Sequence, residues 1–330
     1  MTGVINPEEL GRIFDPPVAA PTPARPFLPF AEPYLTGPVP PRFQTLAAKN
    51  LAMALTRLPE AEAETLVEFG SLWLDDRPCL DPARPLAAHQ IFRLNPPAYG
   101  PVRFYEADPA RVIYEDGDLL IYNKESGRPS QAVPHDAHNN ALSAVGRMLA
   151  ARGDSPALWL SHRLDADTSG LLLMAKNKGT AGKLGRAFQE GRVAKEYLCL
   201  GLGAAPDCRE FSIEAPIAKE GRRYLVRPGG PGLPSRTDIR FLSQTDHPDS
   251  RQKLKQVLFL AAPQTGRTHQ VRLHLAFVGW PLVGDRFYGR AEVEREFPAQ
   301  RLMLASASLT FTHPGNGQEL RVLHPALTEF

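Results

Sequence analysis

The period of the apolar positions changes along the chain, and the changes mark its elements. Up to residue 41 there is no period, and roughly a third of the 33 prolines fall there, Pro16-Pro17 and Pro40-Pro41 among them. Proline removes a backbone donor and blocks a helix interior, so residues 1–41 predict an extended arm carrying Phe27, Phe30 and Tyr34. Ala47 to Leu58 predicts a helix with Leu51, Ala54, Leu55 and Leu58 on one face, and Pro59 opens a second helix that Gly70 stops. Leu72-Trp73-Leu74 and Ile91-Phe92-Arg93-Leu94 predict short strands, the first followed by the turn Asp75-Asp76-Arg77. A small module over 42–97 and a larger domain over 98–330 follow from this layout.

From Val112 the pattern is strand, loop, strand. Ile113 to Lys124 predicts two strands around an Asp-Gly turn, and Ser143 to Arg152 a helix. The unbroken apolar run Leu171-Leu172-Leu173-Met174-Ala175 predicts a buried strand. Asn177 caps a helix that runs to Glu190 and ends at Gly191, with Leu184, Ala187 and Phe188 as its apolar face. Val193 to Leu200 predicts a strand, 219–256 polar hairpins, and a strand region closes at Phe259. Val271, Leu275 and Val278 share a helical face that ends at Gly279 and Pro281, and a last strand begins at Leu309.

Composition narrows the function classes. The formal charge is +2, too small to announce a polyanion partner. It is uneven, however: residues 1–105 hold nine Lys/Arg against eleven Asp/Glu, so the excess of positive charge lies in the larger domain. Arg222, Arg223, Arg227, Arg236, Arg240, Arg251, Lys253 and Lys255 crowd the hairpin region, as a solvated face or, in an RNA binder, a footprint. Cys79, Cys199 and Cys208 are scattered and odd in number, which points to neither a zinc site nor a disulfide framework. There is no membrane-length apolar run and no signal-peptide layout, so the expectation is a cytoplasmic protein with free thiols.

The densest set of reactive groups is Ser161-His162-Arg163-Leu164-Asp165-Ala166-Asp167-Thr168-Ser169-Gly170, directly before the apolar run. Two carboxylates, a guanidinium and an imidazole at the mouth of a buried strand suit catalysis, which favours loops held by rigid elements. A polar turn with Asp165 or Asp167 capping its own backbone would use the same residues, and spacing does not separate the two aspartates. His162, His269, His274 and His313 raise a metal site, but none shows the i, i+4 pairing of zinc hydrolases. The start of the helix after Thr265 offers backbone N–H groups to a phosphate.

His162-Arg163-Leu164-Asp165-x-x-Thr168-Ser169-Gly170 with its apolar run resembles the catalytic motif of the RluA-type RNA pseudouridine synthases. Lys195-x-Tyr197, and Thr265 to His274 followed by Gly284-Asp285, resemble two further motifs of that family. Asp118 to Gly127 resembles its opening strand, with Glu125 where the family usually has proline. The resemblance covers roughly residues 112–315. It implies an α+β pseudouridine synthase fold: a long mixed, mostly antiparallel sheet with a central cleft, over 98–330. The module at 42–97 resembles, more weakly, the alpha-L RNA-binding module that precedes this domain in many members. Its second helix carries Glu60, Glu62, Glu64 and Glu68, a face that repels phosphate.

The implied activity is isomerisation of uridine in structured RNA to pseudouridine, the base being flipped out of its stack. Large-subunit ribosomal RNA is the favoured partner and transfer RNA the alternative; a cofactor, a metal and a membrane are not expected, and a monomer is. By motif position Asp165 is the essential carboxylate. Tyr197 stacks on the flipped base and serves in removing its carbon proton. Arg272 holds the carboxylate ionised and aimed. Arg267 is the alternative holder or a phosphate contact, Arg163 fills the gap left by the base, Val271 packs behind it, and His162 and Thr168 complete the substrate-binding set. The rivals are an RNA-binding protein of this fold without activity and a metal-dependent hydrolase using the histidines.

Overall fold

The computed structural model describes residues 34–95, 105–221, 223–246, 255–289 and 299–325. The proline-rich arm up to residue 33, and Arg222, Arg251 and Lys253 of the basic stretch, lie outside them. The chain forms two compact units.

The smaller unit takes its described residues from 34 to 107, together with Gln131–Pro156. Its elements are β1 (Leu35–Pro38), α1 (Ala48–Thr56), α2 (Glu60–Glu68), β2 (Leu72–Leu74), β3 (Arg77–Pro78), β4 (Ile91–Leu94) and α3 (Ala141–Ala151). The strands pair antiparallel in the order β1-β4-β2-β3. Strand β1 falls inside the segment expected to be an arm. It lies at a sheet edge, where Pro38 costs no ladder bond. The buried stripe of α1 is Ala48, Leu51, Ala52 and Thr56, while Ala54 is exposed. Small residues four apart let the helix approach a core of Leu66, Val67, Leu72, Leu74 and Leu94. Helix α3 starts two residues earlier than the pattern predicts, because the Asn140 side chain accepts from the Ser143 N–H.

The larger unit contains Asp108–Ser130 and the described residues from Ala157 onward. It comprises β5 (Val112–Glu115), β6 (Leu119–Lys124), β7 (Trp159–Leu160), β8 (Ser169–Ala175), α4 (Lys178–Gln189), β9 (Ala194–Leu202), β10 (Glu210–Glu214), β11 (Ile217–Glu220) and β12 (Arg223–Val226). It continues with β13 (Arg236–Asp246), β14 (Lys255–Pro263), α5 (Gln270–Phe277), β15 (Leu304–Thr312) and β16 (Glu319–Leu323). One long sheet runs β10-β13-β14-β9-β15-β8-β6-β5, with β16 beside β15 and β7 beside β8, and β11 and β12 form a separate hairpin. The sheet is mixed and mostly antiparallel, as expected, and among the described pairings only β15 with β8 is parallel.

That parallel pairing positions the site. It lasts for Ala305↔Ser169 and Ser306↔Gly170, after which β15 is irregular between Ser306 and Ser308 and takes β16 as its neighbour. The two strands therefore part near the middle of the sheet. Gly170 sits at the joint with φ +98, and a Cβ there would lie 2.2 Å from the Ser306 carbonyl oxygen, so no other residue fits. On one side of the joint, Leu119, Ile121, Leu171, Leu173, Leu184 and Phe311 form a core. On the other, Cys199, Phe259, Val271, Leu275 and Leu282 form a second. Every residue of β8 is buried, as its apolar run predicts. Phe259 is the middle of β14 rather than its end, and β15 begins five residues before Leu309. Helix α5 is shorter than predicted, since His269 stands before it in the left-handed region (φ 56) and Val278 is its exposed C-cap.

Candidate active site

The polar motif forms a loop between β7 and β8 whose backbone is held from one neighbouring segment. The Thr168 N–H donates to the Asp165 carbonyl at 3.1 Å and closes a turn. Ser130 Oγ donates to the Leu164 carbonyl at 2.7 Å and accepts from the Leu164 N–H at 3.0 Å. The Ala166 carbonyl accepts from the Gly127 N–H at 2.9 Å and from Lys124 Nζ at 3.0 Å. The Asp167 carbonyl accepts from Ser126 Oγ at 2.6 Å. Lys124 is fully buried and also donates to the carbonyls of Glu125 and Arg128. Burial pulls its ammonium down to about 7, against the charges of Glu125, Asp167 and Asp165. Residues 124–130 thus fix the loop through its main chain and leave the Asp165 carboxylate to face the site.

Asp165 is about a third exposed, and its Oδ2 faces two nitrogens: Arg272 Nη1 at 3.8 Å and His269 Nε2 at 3.7 Å. Arg272, buried on α5, spends its other donors on Asp285, Nε to Oδ2 at 2.8 Å and Nη2 to Oδ1 at 2.7 Å. Burial favours losing the guanidinium proton, but the bonds and charge of Asp285 outweigh it and hold the group above its ordinary value. The same Asp285 accepts from the Phe287 and Tyr288 N–H groups. Gly284 and Gly289 frame this turn: a Cβ at the first would meet the Arg301 carbonyl at 1.9 Å, and at the second the Asp285 carbonyl at 2.2 Å. The rings of Phe287 and Tyr288 flank the Arg272 guanidinium at 5.5 and 5.2 Å.

Tyr197 enters from β9, opposite Ser306 of β15. Burial and the negative charge of Asp165 push its hydroxyl well above the usual phenol value, so it keeps its proton throughout the neutral range. Its ring packs on the apolar cluster that contains Val271. Asp165, Tyr197 and Arg272, far apart in the chain, thus converge where β8 and β15 separate. The RNA pseudouridylate synthase family model matches residues 118–277, a span that includes Asp165, Tyr197 and Arg272 and ends before Gly284-Asp285. Over these residues the chain is similar to the RNA pseudouridylate synthase family.

Two curated relatives, both ribosomal large subunit pseudouridine synthase C, are each 34% identical to it. The one from Vibrio cholerae matches over 218 residues, 65% of this chain and 65% of its own length. The one from Escherichia coli K12 matches over 222 residues, 65% of this chain and 66% of its own. The chain thus spans a little under two thirds of the length of these relatives. Human RNA Pseudouridylate Synthase Domain Containing 1 is a structural neighbour with a TM-score of 0.53 and 28% identity, covering 67% of this chain and 86% of its own. Human RNA Pseudouridylate Synthase Domain Containing 4, at TM-score 0.50 and 21% identity, shares the fold, covering 65% of this chain and 87% of its own.

Around this site the other candidate residues divide. Arg163 is exposed on the same loop as Asp165. Arg267 donates through Nε to the Pro234 carbonyl at 3.1 Å, and the cation at the Asp165 carboxylate is Arg272. Thr168 is buried beneath its turn. His162 stacks on Phe188 at 4.8 Å and its Nε2 accepts from the Leu173 N–H at 2.9 Å, which turns it towards β8 and α4 rather than towards a substrate. Burial, then the charge of Lys195, lowers it to about 3. His274 bonds Thr237 and Ser235, and His313 bonds Asp116. Among the described residues no three His, Cys, Asp or Glu side chains cluster to hold a metal ion. None of the described helices is long and apolar enough to cross a membrane.

The sequence motifs carry no site role for Lys124, Asp285 or Tyr288, and raise His269 only for a metal. Lys124-Glu125-Ser126-Gly127 and Gly284-Asp285-Arg286-Phe287-Tyr288-Gly289 are visible as motifs, but the bonds that tie them to the site run from Lys124 to Ala166, 42 residues away, from Asp285 to Arg272, 13 away, and from Tyr288 to His269, 19 away.

Proposed function

We propose that this chain isomerises specific uridines in structured RNA to pseudouridine, with Asp165 as the acting carboxylate. The observation that carries the reading is the Asp165 carboxylate on a main-chain-clamped loop, facing the Arg272 guanidinium that Asp285 fixes, beside a protonated Tyr197. The target base must leave its stack to reach such a site. The N1–C1′ bond breaks, the base turns, C5 bonds to C1′, and the C5 proton leaves as N1 gains one, so the reaction balances without an electron or group carrier. Asp165 adds to the sugar or the base, or takes a sugar proton. Tyr197 packs against the detached base and is placed to take part in removing the C5 proton. Arg163 fills the space the base vacates, and Val271 supports the base from behind.

The relatives' names favour large-subunit ribosomal RNA as the substrate. The smaller unit is proposed to be an alpha-L-like accessory that does not grip phosphate strongly: Lys49 bonds both Glu60 and Glu64, each at 2.6 Å, so its charge is spent within the unit. That neutralised cation keeps transfer RNA as the second arm of the test. The test is tritium release from RNA labelled at uridine C5, ribosomal and transfer RNA separately. Release from the ribosomal pool, abolished by Asp165→Asn, is the expected result. Release surviving the substitution would move the role to Asp167, and RNA binding without release from either pool would leave a binding protein of this fold.

A further inference from the structure

His269 is the described residue of the larger unit, glycines aside, whose backbone lies in the left-handed region, at φ 56. Such a conformation costs free energy outside glycine and tends to mark a functional constraint. Here it stops α5 from extending backwards and projects the imidazole between two groups. Nε2 faces Asp165 Oδ2 at 3.7 Å, and Nδ1 lies 2.8 Å from the Tyr288 hydroxyl. The ring is locked by Phe287, stacked at 6.2 Å, and by the edge of Tyr224 at 5.8 Å. The charged and titratable groups around it are Asp165, Asp167, Arg272, Asp285 and Tyr288.

The tautomer follows from the hydrogen bonds. The group that faces Nε2 is a carboxylate, which accepts and does not donate, so Nδ1 is the nitrogen left to receive the Tyr288 phenolic proton. An imidazole that accepts at Nδ1 carries its proton on Nε2. We infer that Tyr288 and His269 form a positioning pair for Asp165: the Tyr288 hydroxyl donates to Nδ1, and the Nε2–H so fixed is aimed at Oδ2. Arg272 approaches the same oxygen. Both donors therefore hold Oδ2, and Oδ1 is the oxygen presented to the nucleotide. The separation of 3.7 Å is long for a hydrogen bond, and such contacts close when substrate fills the site. Burial holds His269 below its ordinary value, with Arg272 lowering it and Asp165 opposing, and so favours the neutral ring this arrangement uses.

This rests on the reading of Asp165 as the acting carboxylate, and two measurements separate its failure from the failure of that reading. The first is tritium release from ribosomal RNA labelled at uridine C5. The His269→Gln side chain keeps an amide donor where Nε2 stands, His269→Asn places it near Nδ1, and His269→Ala removes it. Gln is expected to retain most of kcat, while Asn and Ala lose roughly 10- to 100-fold with KM for RNA unchanged, the usual cost of an orienting partner. Tyr288→Phe is expected to lower kcat less than His269→Ala. Gln as impaired as Ala, or a loss confined to KM, overturns the inference while a releasing wild type keeps the isomerase. A wild type that releases nothing removes both.

The second measurement needs no turnover. Long-range proton–nitrogen correlation spectra of the full chain with nitrogen-labelled histidine report the tautomer. The expected signature is a protonated Nε2 on His269 that becomes a mixture in Tyr288→Phe. A protonated Nδ1 in the wild type overturns the proposal even if every His269 variant folds poorly.

Discussion

Asp285 shows what a single buried carboxylate does here. Fully buried, it neutralises Arg272 through two bonds and caps the following turn through two N–H groups. Removing one partner of a buried ion pair strands the other and costs about 3–5 kcal/mol. Asp285→Asn is therefore expected to lower the free energy of unfolding in urea by that order and to depress kcat as well, since Arg272 loses its aim; a variant with unchanged stability would show that the guanidinium finds another partner. His162 gives a pH prediction with a definite sign. Its folded value, about 3, lies below the 6.5 of the free side chain, so between the two the unfolded chain binds the extra proton. Its contribution is complete above 6.5 and is lost as pH falls towards 3. His162→Gln keeps an acceptor for the Leu173 N–H but does not titrate. The decline in Tm on acidification is expected to be shallower in that variant, and an unchanged slope would assign the acid sensitivity to other histidines.

Among the elements, the joint between β8 and β15 decides the most. Adding a methyl group at Gly170 combines backbone strain with a collision at the Ser306 carbonyl. At roughly 1–3 kcal/mol for each effect, Gly170→Ala is expected to destabilise by about 4 kcal/mol in denaturant melts. Gly170 lies five residues from Asp165, so tritium release should fall further than stability alone explains. A mild effect would mean that the strands shift easily and that the gap between them is not built to close tolerance. The pattern of the sequence made β6, β8, α4 and the two small helices legible, because each is marked by a local apolar run or period, and α4 also by its Asn177 cap. It did not reveal β10, β16 or the first half of β15, whose alternation is broken by Ser306 and Ser308. These serines are buried at the joint, so burial there follows from position in the sheet rather than from hydrophobicity.

At the scale of the whole molecule, the basic hairpin region is less of a footprint than its composition suggests. All five basic side chains are exposed, but Arg227 pairs with Glu220, Arg236 with Glu214 and Asp238, and Lys255 with Asp246, while the ion pairs among the described residues do not include Arg223 or Arg240. If RNA lies along this region, Arg223→Ala and Arg240→Ala should each reduce the slope of log affinity against log salt by about 1, and Arg236→Ala should leave it unchanged. Equal slopes in all three would place the RNA elsewhere. The sequence by itself determined the family resemblance, the α+β class, the run of β8 and the candidacy of Asp165, Tyr197 and Arg272, because those depend on local period and on motifs contiguous in the chain. Only the tertiary structure decided that Arg272 reaches Asp165 through a guanidinium shared with Asp285, that His162 faces the core and His269 the carboxylate, and that residues 124–130 clamp the motif loop. Each of those is a contact between segments distant in sequence, and one ring nitrogen differs from another only in what the fold places beside it.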